Sequence, residues 1–225
     1  MKILIFGATG STGKHIVKYA INNNDQIYVY VRNADKINSD IKDQINIIQG
    51  DLSNTDAVSN AIRQVQPDSI IIASGHVPKS KYSPLNAAAV PIMVETLAEL
   101  NLIKSCRFIY LSGLFPAPKK EPLSLFMRII RYIVASWIDA WASVEDNINS
   151  TNYLLYDANN PDLRFTIVRM GAVLEKSSKG SLIPVNYMPS GFVTFDDMGL
   201  FLVKLAHGEY KHETIGKAIK VFYPK

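Results

Sequence analysis

The chain has 225 residues, 48% of them apolar, and a formal charge of only +4. That length suits one domain with a sizeable core, and without a block of Lys and Arg the charge gives no argument for nucleic acid. The single cysteine, Cys106, excludes an intrachain disulfide; it opens the apolar run 106–111, where a buried structural thiol is expected rather than a nucleophile.

The first apolar run, Ile3-Leu4-Ile5-Phe6, breaks into Gly7, Gly10 and Gly13, and residues of helical character follow from Lys14. This predicts a buried strand, a tight turn and a helix. Backbone N–H groups of such a turn, filled here by Thr9, Ser11 and Thr12, face an anion together with the positive helix end. A dinucleotide pyrophosphate is the usual anion there. The spacing Gly-x-x-Gly-x-x-Gly departs from Gly-x-Gly-x-x-Gly, and its weight comes from the strand before it, the helix after it and the βα units that repeat downstream. Because the strand starts within a few residues of Met1, no signal peptide is expected, and a cytoplasmic location follows as the default.

The segment Gly7-Ala8-Thr9-Gly10-Ser11-Thr12-Gly13 resembles the fingerprint of the short-chain dehydrogenase/reductase superfamily. Further segments are similar to its atypical, NAD(P)-binding NmrA-like branch: Val31-Arg32-Asn33, Gly50-Asp51-Leu52, Leu111-Ser112-Gly113 and Thr166-Ile167-Val168-Arg169-Met170-Gly171. The resemblance spans nearly the whole chain. It implies an α/β fold: a Rossmann-type doubly wound parallel sheet in three layers. One NAD(P)-binding domain would cover 1–225, with a small C-terminal substrate-side region.

Gln26–Val31 reads as the second strand, ending in Arg32, where such folds read the adenosine ribose. Tyr30, Val31, Arg32 and Asn33 include no carboxylate to accept from a 2′-hydroxyl, whereas the planar fork of Arg32 suits a 2′-phosphate. NADP(H) is therefore expected over NAD(H). The plain alternative is a solvated arginine. Ile45–Gln49 is the third strand. By resemblance, Asp51 and Leu52 follow it beside the adenine; equally, Asp51 or Ser53 reads as the start of a helix over Thr55–Val65.

Ser69–Ala73 is the fourth strand. Ala73, Ser74 and Gly75 are expected to pass their backbones along the cofactor, because ligands sit at the carboxyl ends of strands. His76 is either a substrate or phosphate contact or a solvated loop histidine. Pro84–Leu100 has helical periodicity with an apolar core face. Phe108–Leu111 is the fifth strand. By resemblance, Ser112 after it orients a substrate carbonyl; the alternative is a loop serine bonding to backbone. The superfamily's Tyr-x-x-x-Lys pair is absent, and Tyr153 is followed at the fourth place by Asp157. A reductase then needs hydride from NADPH and a proton from water or another group.

A helical insert is expected at about 115–141. Phe126, Ile129, Ile130, Ile133, Val134, Trp137, Ile138 and Trp141 form an apolar stripe, with Arg128, Arg131, Ala135 and Asp139 opposite. Charge interrupts it too often for a membrane span. Packing against the core or a homodimer or protein partner through 123–141 is the plainest reading. A substrate lid comes next and a membrane-surface helix last. A lid would imply apolar or aromatic substrates.

Leu163–Val168 is the sixth strand. The irregular segment 172–192 carries, by resemblance, the top of the substrate pocket, with Tyr187 and Met188 as lining residues; plain loop packing is the alternative. Thr194 and Asp197 form a capping pair for a last helix to Ala206, and Ala218–Phe222 is a closing strand. No metal-ligand spacing or nucleophile elbow occurs. Two functions stand. One is an NADPH-dependent oxidoreductase acting on a small apolar or aromatic acceptor such as a quinone, flavin or carbonyl compound. The other is a non-catalytic NADP(H)-sensing protein that binds a partner.

Overall fold

The structure, a computed structural model, describes residues 1–75, 85–114, 116–120, 123–137 and 141–224. Strand β1 (Lys2–Phe6) leads through the glycine turn into α1 (Ser11–Asn22). Then come β2 (Gln26–Val31), β3 (Asn46–Gln49), α2 (Thr55–Val65), β4 (Ser69–Ile72), α3 (Leu85–Glu99) and β5 (Arg107–Gly113). The second half holds α4 (Leu125–Trp137), α5 (Trp141–Asn152), β6 (Phe165–Met170), β7 (Ala172–Leu174), β8 (Ile183–Val185) and β9 (Phe192–Thr194). It closes with α6 (Phe195–Ala206), the short α7 (Lys211–Thr214) and β10 (Lys217–Phe222).

The main sheet runs in the order β3-β2-β1-β4-β5-β6-β10-β8, and all its pairs are parallel except β10 with β8. This is a Rossmann-like doubly wound sheet, with strand order reversing between β1 and β4. Helices cover both faces, so β1 is apolar at consecutive positions rather than at alternate ones. Ile3 and Ile5 pack on one side with Ile16 and Val17 of α1 and Phe201 and Leu202 of α6. Leu4 and Phe6 pack on the other with Val58 and Ile62 of α2 and Val90 and Met93 of α3. Cys106 lies in this second layer, and burial pushes its thiol pKa up to about 12, which keeps it inert.

Two features differ from the sequence expectation. Strand β5 runs on to Gly113, because Ser112 and Gly113 pair with Arg169 and Met170 of β6. Ser112 is therefore a strand residue. The insert forms a helix whose apolar row faces outward: Leu125, Phe126, Ile129, Tyr132 and Ile133 are exposed, whereas Ala135, expected on the far side, is buried. Of the predicted stripe, core packing is thus overturned for Phe126, Ile129 and Ile133, while Ile130 is half-buried. Pro122 and Ile138 of the predicted insert lie outside the described residues.

The expected cap of α6 is present. Asp197 N–H donates to Thr194 Oγ1 at 3.0 Å, and Thr194 Oγ1 donates to Asp197 Oδ2 at 2.7 Å. Asp197 also accepts from Ser178 Oγ, from Lys179 N–H at 2.9 Å and from Tyr223 Oη at 2.6 Å. One carboxylate thereby ties the irregular 172–192 segment and Tyr223, just after the last strand, to α6. Burial pushes against ionisation, but these donors outweigh it and hold the carboxyl below its usual range. A depressed folded pKa stabilises the fold above the unfolded value of about 3.9 and loses that contribution as pH falls through the folded value. Asp197→Asn is therefore expected to flatten the acid limb of stability below about pH 4. Urea midpoints measured across that range check it; an unchanged limb contradicts the assignment.

Candidate functional site

A cleft of about 550 Å³ opens at the carboxyl ends of β1, β4 and β5, at the reversal of strand order. Its floor begins at Gly7, whose φ is +88°. A Cβ there would stand 2.6 Å from Ala73 C and Ser74 N. Only glycine lets the two strand ends approach so closely. A Cβ on Gly13 would meet Gly7 O at 2.0 Å, so this residue lets α1 close down on the turn. Gly13 itself is not part of the cleft lining, whereas Thr9, Gly10, Ser11 and Thr12 are. Gly10 is the N-cap of α1 and offers no side-chain cap, and the first turn carries no acid. The first helical bond runs from Lys14 N–H to Gly10 O at 3.0 Å. The amides of Ser11, Thr12 and Gly13 precede that bond, at the positive end of α1.

Tyr30, Arg32, Asp51 and Leu52 line one end of the cleft. Tyr30 Oη donates to Asp51 O at 3.0 Å, which fixes this corner. Asp51 Oδ1 accepts from Ser53 N–H and Ser53 Oγ, both at 2.8 Å. The Ser53 backbone bond lowers the Asp51 pKa most, and the charge of Arg32 adds to it. The helix cap of α2 is Asn54, which accepts from Ala57 N–H at 3.0 Å. Neither Asp51 nor Ser53 serves as that cap.

Ala73, Ser74 and Gly75 line the middle, and Ser112, Gly113, Met170 and Phe195 the far end. Ser112 is buried, and its Oγ has no hydrogen-bond partner within the described structure. A buried hydroxyl left so is costly in a closed core and serves a purpose where it borders a ligand cavity. His76 lies outside the described residues. Tyr187 and Met188 follow β8 and are not among the cleft-lining residues. Tyr153 sits in the turn of π-helix after α5 and packs against the second core layer, away from the cleft.

Helix α5 supplies what the sequence reading missed. Ser143, Asp146 and Asn147 line the cleft. Asp146 Oδ2 accepts from Asn86 N–H at 3.2 Å and Asn86 Nδ2 at 2.9 Å; Oδ1 accepts from Ala87 N–H at 2.7 Å. Asn86 in turn accepts from Ser74 Oγ at 2.6 Å and donates to Ser74 O at 3.2 Å. The start of α3, the end of β4 and the face of α5 thus share one polar network. Burial raises the Asp146 pKa, against the three donors. Beside it, Tyr110 Oη donates to Asn147 Oδ1 at 3.0 Å, and Asn147 Nδ2 donates to Ser143 O at 2.9 Å. Burial holds the Tyr110 hydroxyl above its usual range, so it is a neutral donor. The spacing 143, 146, 147, 150 is a polar stripe at helical period, and that was the readable clue to this face.

Among the described residues, no group of three or more His, Cys, Asp and Glu side chains could hold a metal ion, and no helix is long and apolar enough to cross a membrane. A family profile described as NAD(P)H-binding matches residues 7–208. The chain is 32% identical over 95 residues to an isoflavone reductase of Glycine max, a match covering 34% of this chain and 29% of that protein. Two solved structures share the fold. One is the oxidoreductase ylbE from Lactococcus lactis, with TM-score 0.75 and 21% identity over 100% of this chain and 92% of that one. The other is ChuY, an anaerobilin reductase from Escherichia coli O157:H7, with TM-score 0.72 and 19% identity over 100% and 98%.

Proposed function

We propose, because the chain belongs to the NAD(P)H-binding family, that it is an NADPH-dependent reductase of a small apolar or aromatic acceptor. The observation that carries this reading is one continuous cleft with an anion cradle at one side and the partnerless Ser112 hydroxyl at its far end. The residues present fit a pyridine nucleotide: Gly7, where a Cβ would strike the backbone of Ala73 and Ser74, holds the turn tight, and the uncapped first turn of α1 suits a pyrophosphate. Thr9, Gly10, Ser11 and Thr12 would hold the diphosphate, Arg32 a 2′-phosphate, and Ala73–Gly75 the nicotinamide side. Bound there, the cofactor supplies a hydride.

The rest of the chemistry falls to the chain. Ser112 donates a hydrogen bond to an acceptor oxygen. Leu111, Met170 and Phe195 border that end and keep it apolar. Tyr110, Asn147 and Ser143 fix the face of α5. The described face of α5 offers no Tyr or Lys to the cleft, and the proton comes from water or another group. The isoflavone reductase of Glycine max and the anaerobilin reductase are both named as reductases, which supports reduction as the chemistry here.

The rival reading is a nucleotide sensor without chemistry, and it rests on the same missing Tyr/Lys pair. NADPH oxidation against quinones, flavins and aldehydes decides between them. Turnover that falls about 10²-fold in Ser112→Ala, with NADPH binding intact, supports the reductase. Tight NADPH binding without turnover across the panel contradicts it. For the cofactor preference, Arg32→Ala is expected to weaken NADPH by roughly ten- to hundredfold and leave NADH nearly unchanged, from the loss of a charge-assisted bond. Calorimetric titration with both nucleotides measures this, and equal losses remove the basis for the preference.

A further inference from the structure

Nine large hydrophobic side chains are exposed among the described residues, and six of them lie between Leu125 and Trp141. Leu125 is 73% exposed and Phe126 70%. With Ile129, Tyr132 and Ile133 they recur at helical spacing, so α4 presents one continuous apolar row outward. Its inward side is modest: buried Ala135, with Met127, Ile130 and Arg131 half-buried, and its main neighbour is α5. A monomer that needed this helix only for packing would turn the row inward.

Charge identifies what the row meets. Helix α4 carries one exposed cation, Arg128, and no acid, with Arg131 on its inward side, and the exposed Lys119 and Lys120 precede it. The two acids of the segment, Glu121 and Asp139, flank the helix in sequence and lie outside the described residues. A second copy docked by two-fold symmetry would set this cationic helix against itself, with no carboxylate in α4 to answer. An anionic lipid surface answers both features. Its acyl boundary accepts the apolar row and its headgroups accept the Arg128 guanidinium and the Lys119 and Lys120 ammonium groups. The Tyr132 and Trp141 rings, 5.8 Å apart, add the amphipathic aromatics favoured at that depth. Thirteen residues make a helix of roughly 20 Å, short of the ~30 Å hydrocarbon core, so it lies in the interface plane.

We propose that α4 seats this protein on an anionic lipid surface, with the cleft beside the contact. Pro116, ahead of α4 in the chain, and Ala142 and Ser143, behind it, line that cleft. The proposal concerns binding and stands whether or not the cleft carries out reduction.

Co-sedimentation of the full chain, without nucleotide, tests it on vesicles of phosphatidylcholine alone or mixed with phosphatidylglycerol. The expected result is at least about tenfold stronger partition onto the anionic vesicles, weakened by added salt. Phe126→Glu with Ile129→Glu should abolish it while leaving the melting temperature unchanged, because both side chains are exposed. Arg128→Glu should remove the anionic preference. Wild-type protein left in the supernatant with both vesicles overturns the proposal. Equal binding to both lipids, or binding that survives the double substitution, does so too. A dimer at sedimentation equilibrium that the double substitution dissociates, with no vesicle binding, would reassign the face to a contact between copies.

Discussion

Gly7→Ala is expected to weaken NADPH binding by about two orders of magnitude and to lower the melting temperature by about 5–20 °C. The backbone at Gly7 has φ +88°, and the added methyl would lie 2.6 Å from Ala73 C and Ser74 N. Those are backbone atoms, so no rotamer change relieves the clash. The left-handed conformation costs an L-residue about 1–2 kcal/mol, and overpacking adds about 1–3 kcal/mol. A sum of roughly 2–5 kcal/mol gives the thermal shift for a chain of this size. Relief requires the turn to move away from β4, and then the amides at the start of α1 no longer converge on one anion. Each 1.4 kcal/mol lost in that convergence is a factor of about ten in affinity. Calorimetric titration and a thermal melt read both effects. An affinity within about threefold of wild type would show that the turn does not hold the nucleotide.

Asp146→Ala is expected to cost about 3–5 kcal/mol of stability, read as a fall in melting temperature of roughly 6–20 °C. The carboxylate is the shared acceptor for Asn86 N–H, Asn86 Nδ2 and Ala87 N–H. Truncation strands three donors at the start of α3, two of them fully buried. The loss also frees the Asn86 side chain, which brackets Ser74 at the end of β4. NADPH affinity should therefore fall together with stability. In Asn86→Ala the carboxylate keeps its two backbone donors, so stability should fall less while the cleft still loses its hold on Ser74. A melting temperature for Asp146→Ala within about 2 °C of wild type would contradict this account.

The sequence made the first half of the sheet legible because its cues are local. The run Ile3–Phe6 can only be buried on both faces, and Gly7, Gly10 and Gly13 mark a turn whose shape follows from the missing Cβ atoms. Arg32 and Asp51 were placed at the cleft by their position after strands, which a doubly wound sheet converts directly into geometry. Ser112 was located, but not its strand setting, because the length of β5 depends on pairing with β6 more than 50 residues away. Asp146 escaped because its partners lie on α3, and a carboxylate on a helix reads as solvated until its neighbour is known. The insert shows the limit most plainly. Periodicity reveals that α4 has an apolar row, but which way a row faces is decided by what the rest of the chain leaves for it to touch.

The main sheet ends on β8, a three-residue strand laid antiparallel on β10 with Pro184 opposite Val221. Proline has no N–H, so this rim holds at most two donors for an incoming ladder. Sheet growth from molecule to molecule, the first step toward fibres, therefore finds almost no template on that flank. A protein with so apolar an interior can then be crowded in a cell without zipping to its neighbours there.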